Sequence, residues 1–141
     1  MSDVLTLVSR VLMSAVFIVY GYLKFADVTT ITNLGGTKRI MDLVAGGAAA
    51  PNWLGYLVAA LELLGGLAVL VGFKIRWVAW GLVVYLLIAT YFGHPFWLLE
   101  GAARGANQAH FYKNIGLIAA YLMIIVAGPG RYSVDGRTGK A

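Results

Sequence analysis

Four stretches of the chain are apolar for long enough to cross a bilayer, and polar or glycine-rich segments separate them. They cover about residues 4–25, 52–71, 77–92 and 111–127. A membrane-spanning helix needs roughly 20 apolar residues. The third stretch is the shortest, but aromatic residues lie at both of its ends, which is typical of the membrane–water interface. The pattern predicts four transmembrane helices.

The connections between these helices constrain their arrangement. Residues 72–76 are too few for anything but a tight turn, so the second and third spans are predicted to be antiparallel neighbours. In the first long connection, residues 37–44 have an amphipathic pattern that predicts a short interfacial helix capped by Thr37. We therefore predict an all-α fold for residues 1–141, a single domain built as an antiparallel four-helix transmembrane bundle with that short helix in the first long loop.

Composition agrees with a membrane protein and excludes several other classes. Hydrophobic residues make up 60% of the chain and charged residues 12%, whereas a soluble domain has about 25% charged residues. Cysteine is absent, so the sequence offers no disulfide and no thiolate metal site. The net charge is +5, which suits loops that contact anionic lipid. No basic face lies outside the spans, so we predict no nucleic-acid partner.

The basic residues also bear on topology. Four spans place both termini and the short turn on the same side of the membrane. The short turn and the tail are rich in basic residues, including Lys74, Arg76, Arg131 and Arg137. Because short basic loops remain in the cytoplasm, we predict a protein of the bacterial inner membrane with both termini in the cytoplasm.

Glu62 lies at the centre of the second span, where a charged side chain costs about 2.5–3.5 kcal/mol on insertion scales. It shares its helix face with residues suited to close helix contact, namely Ala59, Gly65, Gly66 and Val69. Its carboxyl group is therefore predicted to point into the bundle. One interpretation is a structural ion pair with Arg10, which lies at a depth that differs by roughly 6 Å. The other is a functional site.

Polar residues also gather at both ends of the first span and at the outer ends of the others. In the first span, Arg10 and Lys24 lie on one helical stripe with Ser14, Phe17 and Gly21. Snorkelling to the membrane surfaces is one interpretation of these two basic residues. The small residues Ser14 and Gly21 on the same stripe instead indicate that this face is turned toward protein. The outer ends of three spans carry Lys24, His94, His110, Lys113 and Asn114. The spacing fits no metal site, and His110 with Lys113 also suits ordinary headgroup contact.

Together these residues resemble the DoxX family of small four-helix membrane proteins. The matching segments are residues 10–17 with Gly21 and Lys24, 62–66, His94-Pro95-Phe96, 111–116 and 128–135. The family takes its name from a subunit linked to quinone-dependent oxidation of sulfur compounds, and other members resemble partners in oxidant-defence or accessory complexes. The resemblance implies that Asp135 in the tail caps or pairs near the cytoplasmic face. Because this chain has no cysteine, thiol-based schemes would need a partner's thiols.

The leading hypothesis is a small membrane subunit that holds a lipophilic ligand, a quinone being the candidate cofactor, between its helices. Hydrogen bonds would come from Lys24, His94, Lys113 and Asn114, with Glu62 beneath, and the apolar wall would contain Tyr91, Phe96 and Trp97. The predicted partners are membrane lipid, a redox enzyme or oxidant-defence complex, and further copies of the chain. Whether it is an enzyme stays open.

Two alternatives remain. The chain would be a non-enzymatic accessory or assembly subunit if its small-residue helix faces dock other helices. It would be a small-molecule or proton transporter if Glu62 carries flux, although the sequence has no internal repeat and no broken helix at midplane to support alternating access.

Overall fold

The computed structural model describes residues 2–139, in which all regular secondary structure is helical and no strand occurs. Its elements are α1 (Ser2–Ala26), α2 (Val28–Asn33), α3 (Gly35–Ala45), α4 (Asn52–Val71), α5 (Ile75–Gly93), a one-turn 3-10 helix (Phe96–Leu98), α6 (Gly101–Ala127) and α7 (Val134–Arg137). Helices α1, α4, α5 and α6 are long and apolar enough to cross a membrane. The predicted all-α fold with four spans is confirmed.

The largest difference from the predicted boundaries is at the start of α6. This helix begins at Gly101, about ten residues before the predicted start of the fourth span. The added residues include helix-forming alanines together with Arg104, Asn107 and Gln108. Hydropathy located the part of α6 that suits lipid, but it does not mark where the helix itself begins.

The first long connection holds two short helices instead of one. Asp27 caps α2, because its Oδ1 accepts hydrogen bonds from the backbone N–H groups of Thr29 at 3.1 Å and Thr30 at 3.3 Å. Hydrogen bonds from the Thr29 and Thr30 hydroxyls and backbone hold the pKa of the Asp27 carboxyl below its usual value. These bonds anchor the chain as it leaves α1.

The predicted cap of α3 by Thr37 is wrong. The helix begins at Gly35, with Leu34 as its N-cap residue and no side-chain capping bond, so Thr37 lies inside the helix. The early start lets α3 pack on the end of α5, since a Cβ on Gly36 would lie 2.7 Å from Cα of Gly93. Arg39 also donates a hydrogen bond of 2.9 Å to the carbonyl of Phe92.

The spanning helices pack mainly as two pairs, α1 with α4 and α5 with α6, and α4 also contacts α5. Glycines allow the close approach of α1 and α4. A Cβ on Gly21 would lie 2.6 Å from the backbone nitrogen of Leu63, and one on Gly66 would lie 3.0 Å from that of Ile18. The small-residue face around Glu62 is therefore used within the chain, against α1 at Gly66 and against Leu82 of α5 at Gly65.

Replacing Gly21 by alanine is expected to destabilise the protein by about 1–3 kcal/mol, because the new methyl group meets backbone that cannot move aside. Gly116→Ala in α6 is the matched control. A Cβ there meets no atom within 4 Å, so it should stabilise the helix by roughly 0.5–1 kcal/mol. Unfolding in detergent followed by tryptophan fluorescence measures both, and equal effects would contradict the close approach of α1 and α4.

Both ends of the described chain and the turn between α4 and α5 lie together. Asp135 accepts hydrogen bonds from the backbone N–H groups of Lys74 at 2.9 Å and Ile75 at 2.8 Å, so it caps α5 from the tail. Near the N-terminus, Asp3 accepts one from the backbone of Arg131 at 3.0 Å. This arrangement follows from four antiparallel spans. The side of the membrane on which this end lies stays a prediction.

Candidate ligand cavity between the helices

A cavity of about 440 Å³ lies at the opposite end of the bundle from the tail, and α1, α4, α5 and α6 supply side chains to it. Residues of α2 and α3 line it as well, from Ile31 to Ile40. Most of the lining is apolar and includes Val16, Phe17, Val58, Leu86, Ile88 and Leu117. The polar lining residues form two groups, one at Glu62 and one near the outer ends of the helices.

The first group is built around the carboxylate of Glu62. This residue is 5% exposed, and its Oε1 accepts hydrogen bonds from Nζ of Lys24 at 2.5 Å and from the hydroxyl of Tyr85. The Lys24–Glu62 contact is also an ion pair. Lys24 comes from α1 and Tyr85 from α5, so three helices meet at this carboxylate. The ammonium group of Lys24 thereby compensates the charge of the buried Glu62 carboxylate.

The other oxygen of Glu62 is in a different situation. Oε2 is buried and has no hydrogen-bond partner among residues 2–139. A carboxylate oxygen has two lone pairs that accept hydrogen bonds, and buried polar atoms are nearly always paired in native proteins. Glu62 therefore keeps unused acceptor capacity on an oxygen that is closed off from its surroundings.

The suggested ion pair between Arg10 and Glu62 is wrong. Arg10 is 0% exposed, and its guanidinium donates hydrogen bonds to the carbonyl of Leu70 at 3.1 Å and to that of Tyr132. Leu70 lies eight residues beyond Glu62 on α4, roughly 12 Å at the helical rise. Arg10 thus meets the carbonyl of Leu70 in the last turn of α4, where carbonyls lack a partner in their own helix. The long stem of Lys24 instead reaches inward to Glu62.

The second polar group lies between α5 and α6. His94 donates a hydrogen bond from Nδ1 to the Asn107 side chain at 3.1 Å, and its ring stacks on that of His110 with centroids 5.0 Å apart. Nζ of Lys113 lies 3.4 Å from Nδ1 of His110 and 5.7 Å from the centre of the Tyr20 ring. These histidines and Lys113 line the cavity together with the buried Asn114.

The structure brings five of the seven predicted ligand-binding residues to one cavity, namely Lys24, Glu62, His94, Lys113 and Asn114. Tyr91 and Trp97 are not among its lining residues, and neither is Phe96. Tyr91 is 62% exposed and packs against Trp97 with ring centroids 6.0 Å apart. The predicted aromatic wall is therefore wrong, because none of these three rings lines the cavity and those of Tyr91 and Trp97 are exposed.

Two aromatic lining residues were missed by the sequence analysis. Tyr20 and Tyr85 both line the cavity, and Tyr85 contacts Glu62 directly. A signal for Tyr85 exists in the sequence. Tyr85, Ala89 and Phe92 follow one another at steps of four and three, which places them on one face of α5, and this face leads to His94.

The comparison with protein families settles what kind of chain this is. The sequence profile of the DoxX family matches residues 5–95, which is more than half of the chain. The chain belongs to the DoxX family. The match includes Lys24, Glu62 and His94, whereas Lys113 and Asn114 follow it.

Two relatives from Escherichia coli (strain K12) are similar over nearly the whole chain. Inner membrane protein YqjF is 33% identical over 135 residues, which is 96% of this chain and 92% of the relative. Inner membrane protein YphA is 29% identical over 134 residues, 95% of this chain and 90% of the relative. Both names agree with the predicted membrane location.

A third relative is eukaryotic. The Surfeit locus protein 4 homolog of Schizosaccharomyces pombe is 28% identical over 97 residues, which cover 67% of this chain and 32% of that protein. No solved structure matches the DoxX chain described here.

Proposed function

We propose that this DoxX protein is an inner-membrane protein that binds a lipophilic molecule with a polar head, of the quinone class, in the cavity between its helices. The observation that carries the proposal is the cavity itself, whose apolar lining is joined by polar side chains at Glu62 and near Lys113. Ligand sites have volumes of about 300–1,000 Å³ and combine apolar walls with a few fixed polar groups. A cavity of about 440 Å³ fits that range.

The chemistry of the lining suits a quinone ring. Lys113 and Asn114 carry N–H donors, and the oxygens of a quinone accept such bonds. The apolar side chains of Phe17, Leu86 and Leu117 offer surface for the ring and the start of an isoprenoid tail. A ligand with polar oxygens on an apolar body therefore matches both parts of the cavity.

A redox role would depend on a partner. The chain contains no cysteine, and residues 2–139 hold no group of three or more His, Cys, Asp or Glu side chains that could bind a metal ion. We propose that a redox enzyme or an oxidant-defence complex in the same membrane supplies the electrons, with the DoxX chain as the subunit that holds the quinone.

The two rival functions have less support. An assembly subunit was expected to dock partners through its small-residue faces, but the face around Glu62 packs against α1 of the same chain. A transporter of the broken-helix type would need an interrupted helix at midplane, and α4 is a continuous helix from Asn52 to Val71.

A size-change pair of variants tests the proposal. Ala89 lines the cavity on α5, so Ala89→Phe should fill it, whereas Ala119→Phe on the exposed face of α6 adds the same atoms outside it. Each purified protein is incubated in detergent with a decyl-tailed benzoquinone and passed through gel filtration, and the retained quinone is measured by mass spectrometry.

We expect the wild type and Ala119→Phe to retain the quinone equally, and Ala89→Phe to retain at least about tenfold less. Equal retention by the two variants would place the quinone outside the cavity. Retention by the wild type no greater than that of an unrelated helical membrane protein would also contradict the proposal.

A further inference from the structure

The charges that line the cavity are balanced at its inner end and unbalanced at its outer end. Of the lining residues within 2–139, Glu62 is the one carboxylate, and it is paired with Lys24. Lys113 forms no ion pair with a carboxylate of this part of the chain. Its Nζ instead lies 3.4 Å from Nδ1 of His110 and 5.7 Å from the centre of the Tyr20 ring. The outer end of the cavity therefore carries a positive charge that no acidic side chain among these residues compensates.

Asn114 adds an unused hydrogen-bonding group beside this charge. The residue is 6% exposed and lines the cavity. Its side-chain amide has no hydrogen-bond partner among residues 2–139, since the bonds nearby join His94 to Asn107 and Lys113 to His110. The amide is also not among the buried polar atoms that are closed off from their surroundings. The little surface that this residue retains is therefore open to the cavity, where its NH₂ group can donate to a ligand.

We infer that the cavity also binds an amphiphile with an oxyanion head, whose oxygens contact Lys113 and Asn114 and whose hydrocarbon chain lies along the apolar walls. The inference goes beyond the proposed function, because it names a second class of ligand, one that carries a negative charge. Hydrogen bonds between an ammonium group and an oxyanion are roughly twice as strong as those between neutral groups. A neutral head leaves the charge of Lys113 uncompensated, whereas a phosphate or carboxylate head compensates it.

The two ends of the cavity determine the orientation of such a ligand. His110, Lys113, Asn114 and Leu117 all line it and follow one another at steps of three, one and three, which places them on one face of α6. Beyond Leu117 the lining is mainly apolar, and burying an unpaired anion there would be costly. The head is therefore held at the outer end of the helices, and the hydrocarbon chain points inward.

Binding of three probes to the wild-type protein separates the head from the chain. They are dodecyl phosphate, dodecanol and inorganic phosphate. Binding is measured by equilibrium dialysis in a non-ionic detergent and corrected for the amount held by micelles without protein. We expect dodecyl phosphate to bind at least about tenfold more tightly than either of the others. Equally tight binding of dodecanol would show that the charge of the head is irrelevant, and equally tight binding of inorganic phosphate would indicate a site for a free anion. Either result would overturn the inference.

The variant Lys113→Gln isolates the charge. It should weaken the binding of dodecyl phosphate at least about tenfold and leave that of dodecanol unchanged. Lys113→Arg keeps the charge and should keep the binding. Lys38→Gln is the matched control, because Lys38 is an exposed lysine of α3 that does not line the cavity. Equal losses in Lys113→Gln and Lys38→Gln would mean that any positive surface attracts the probe, contrary to the inference.

The variant Ala89→Phe locates the hydrocarbon chain. It fills the cavity from α5 and should weaken the binding of dodecyl phosphate, whereas Ala119→Phe should not. Binding that depends on Lys113 but not on Ala89 would place the probe among surface head groups and would refute the inference. The two proposals fail separately. Loss of quinone retention alone would refute the proposed function, and retention of quinone without binding of dodecyl phosphate would refute only the inference drawn here.

Discussion

Replacing Lys24 by methionine is expected to lower the free energy of unfolding by about 3–5 kcal/mol, as removal of one partner from a buried ion pair does. The substitution leaves the carboxylate of Glu62 inside the bundle with one remaining donor, Tyr85. Glu62 lies at the centre of α4 and is 5% exposed, so its short side chain cannot swing to the surface of the bundle. Unfolding in detergent, followed by tryptophan fluorescence, measures this decrease in the free energy of unfolding.

Glu62→Met should be less damaging than Lys24→Met. The side chain of Lys24 is 20% exposed and belongs to the last turn of α1, so its ammonium group can swing towards the outer surface once its partner is removed. A larger loss in Lys24→Met than in Glu62→Met would distinguish the effect of an unpaired buried charge from a simple loss of packing. Equal losses in the two variants would mean that Lys24 is fixed by contacts other than the carboxylate.

A triple variant is the control for this experiment. Lys24→Met, Glu62→Met and Tyr85→Phe together remove both charges and the hydroxyl that would be left without an acceptor. Replacing a complete buried polar cluster with apolar residues of similar size is often neutral or stabilising. The free energy of unfolding of the triple variant should therefore be close to that of the wild type. A loss as large as that of Lys24→Met alone would show that apolar side chains cannot fill this part of the bundle.

The four spans were predictable because the sequence requirement of a bilayer is simple. A helix in lipid needs about 20 apolar residues, and residues 52–71 were placed with the bounds that the structure gives to α4. The early start of α6 was not predictable in this way. Residues 101–110 are polar enough to lie outside lipid yet still form helix, and hydropathy does not distinguish a polar helix from a loop.

The site was predictable where one helix face carries its residues, and it was not where contacts cross between helices. Glu62 and Lys24 were each placed on an inward face by their small neighbours. Their pairing with each other depends on how far the lysine stem reaches, which the sequence does not contain. Arg10 was a reasonable partner by depth, but the free carbonyl at Leu70 lies closer to its guanidinium.

Replacing Arg10 by leucine is expected to lower the free energy of unfolding by about 2–6 kcal/mol. The guanidinium is 0% exposed and donates to the carbonyls of Leu70 and Tyr132, and each buried acceptor that loses its donor costs about 1–3 kcal/mol. The carbonyl of Leu70 belongs to the last turn of α4, where no helical N–H can replace the lost donor. Unfolding in detergent measures the total loss.

The contact of Arg10 with Tyr132 also predicts which part of the protein opens first when Arg10 is replaced. Tyr132 belongs to the segment before α7, and Arg10 ties this segment to α1. Trypsin should therefore cleave after Arg131 faster in Arg10→Leu than in the wild type, before the bundle unfolds, because local opening of the tail precedes global unfolding. Arg104→Leu on the exposed start of α6 is the matched control and should change stability by less than about 0.5 kcal/mol. If the tail of Arg10→Leu resists trypsin like that of the control, then Asp135, which holds the backbone of Lys74 and Ile75, anchors the tail without help from Arg10.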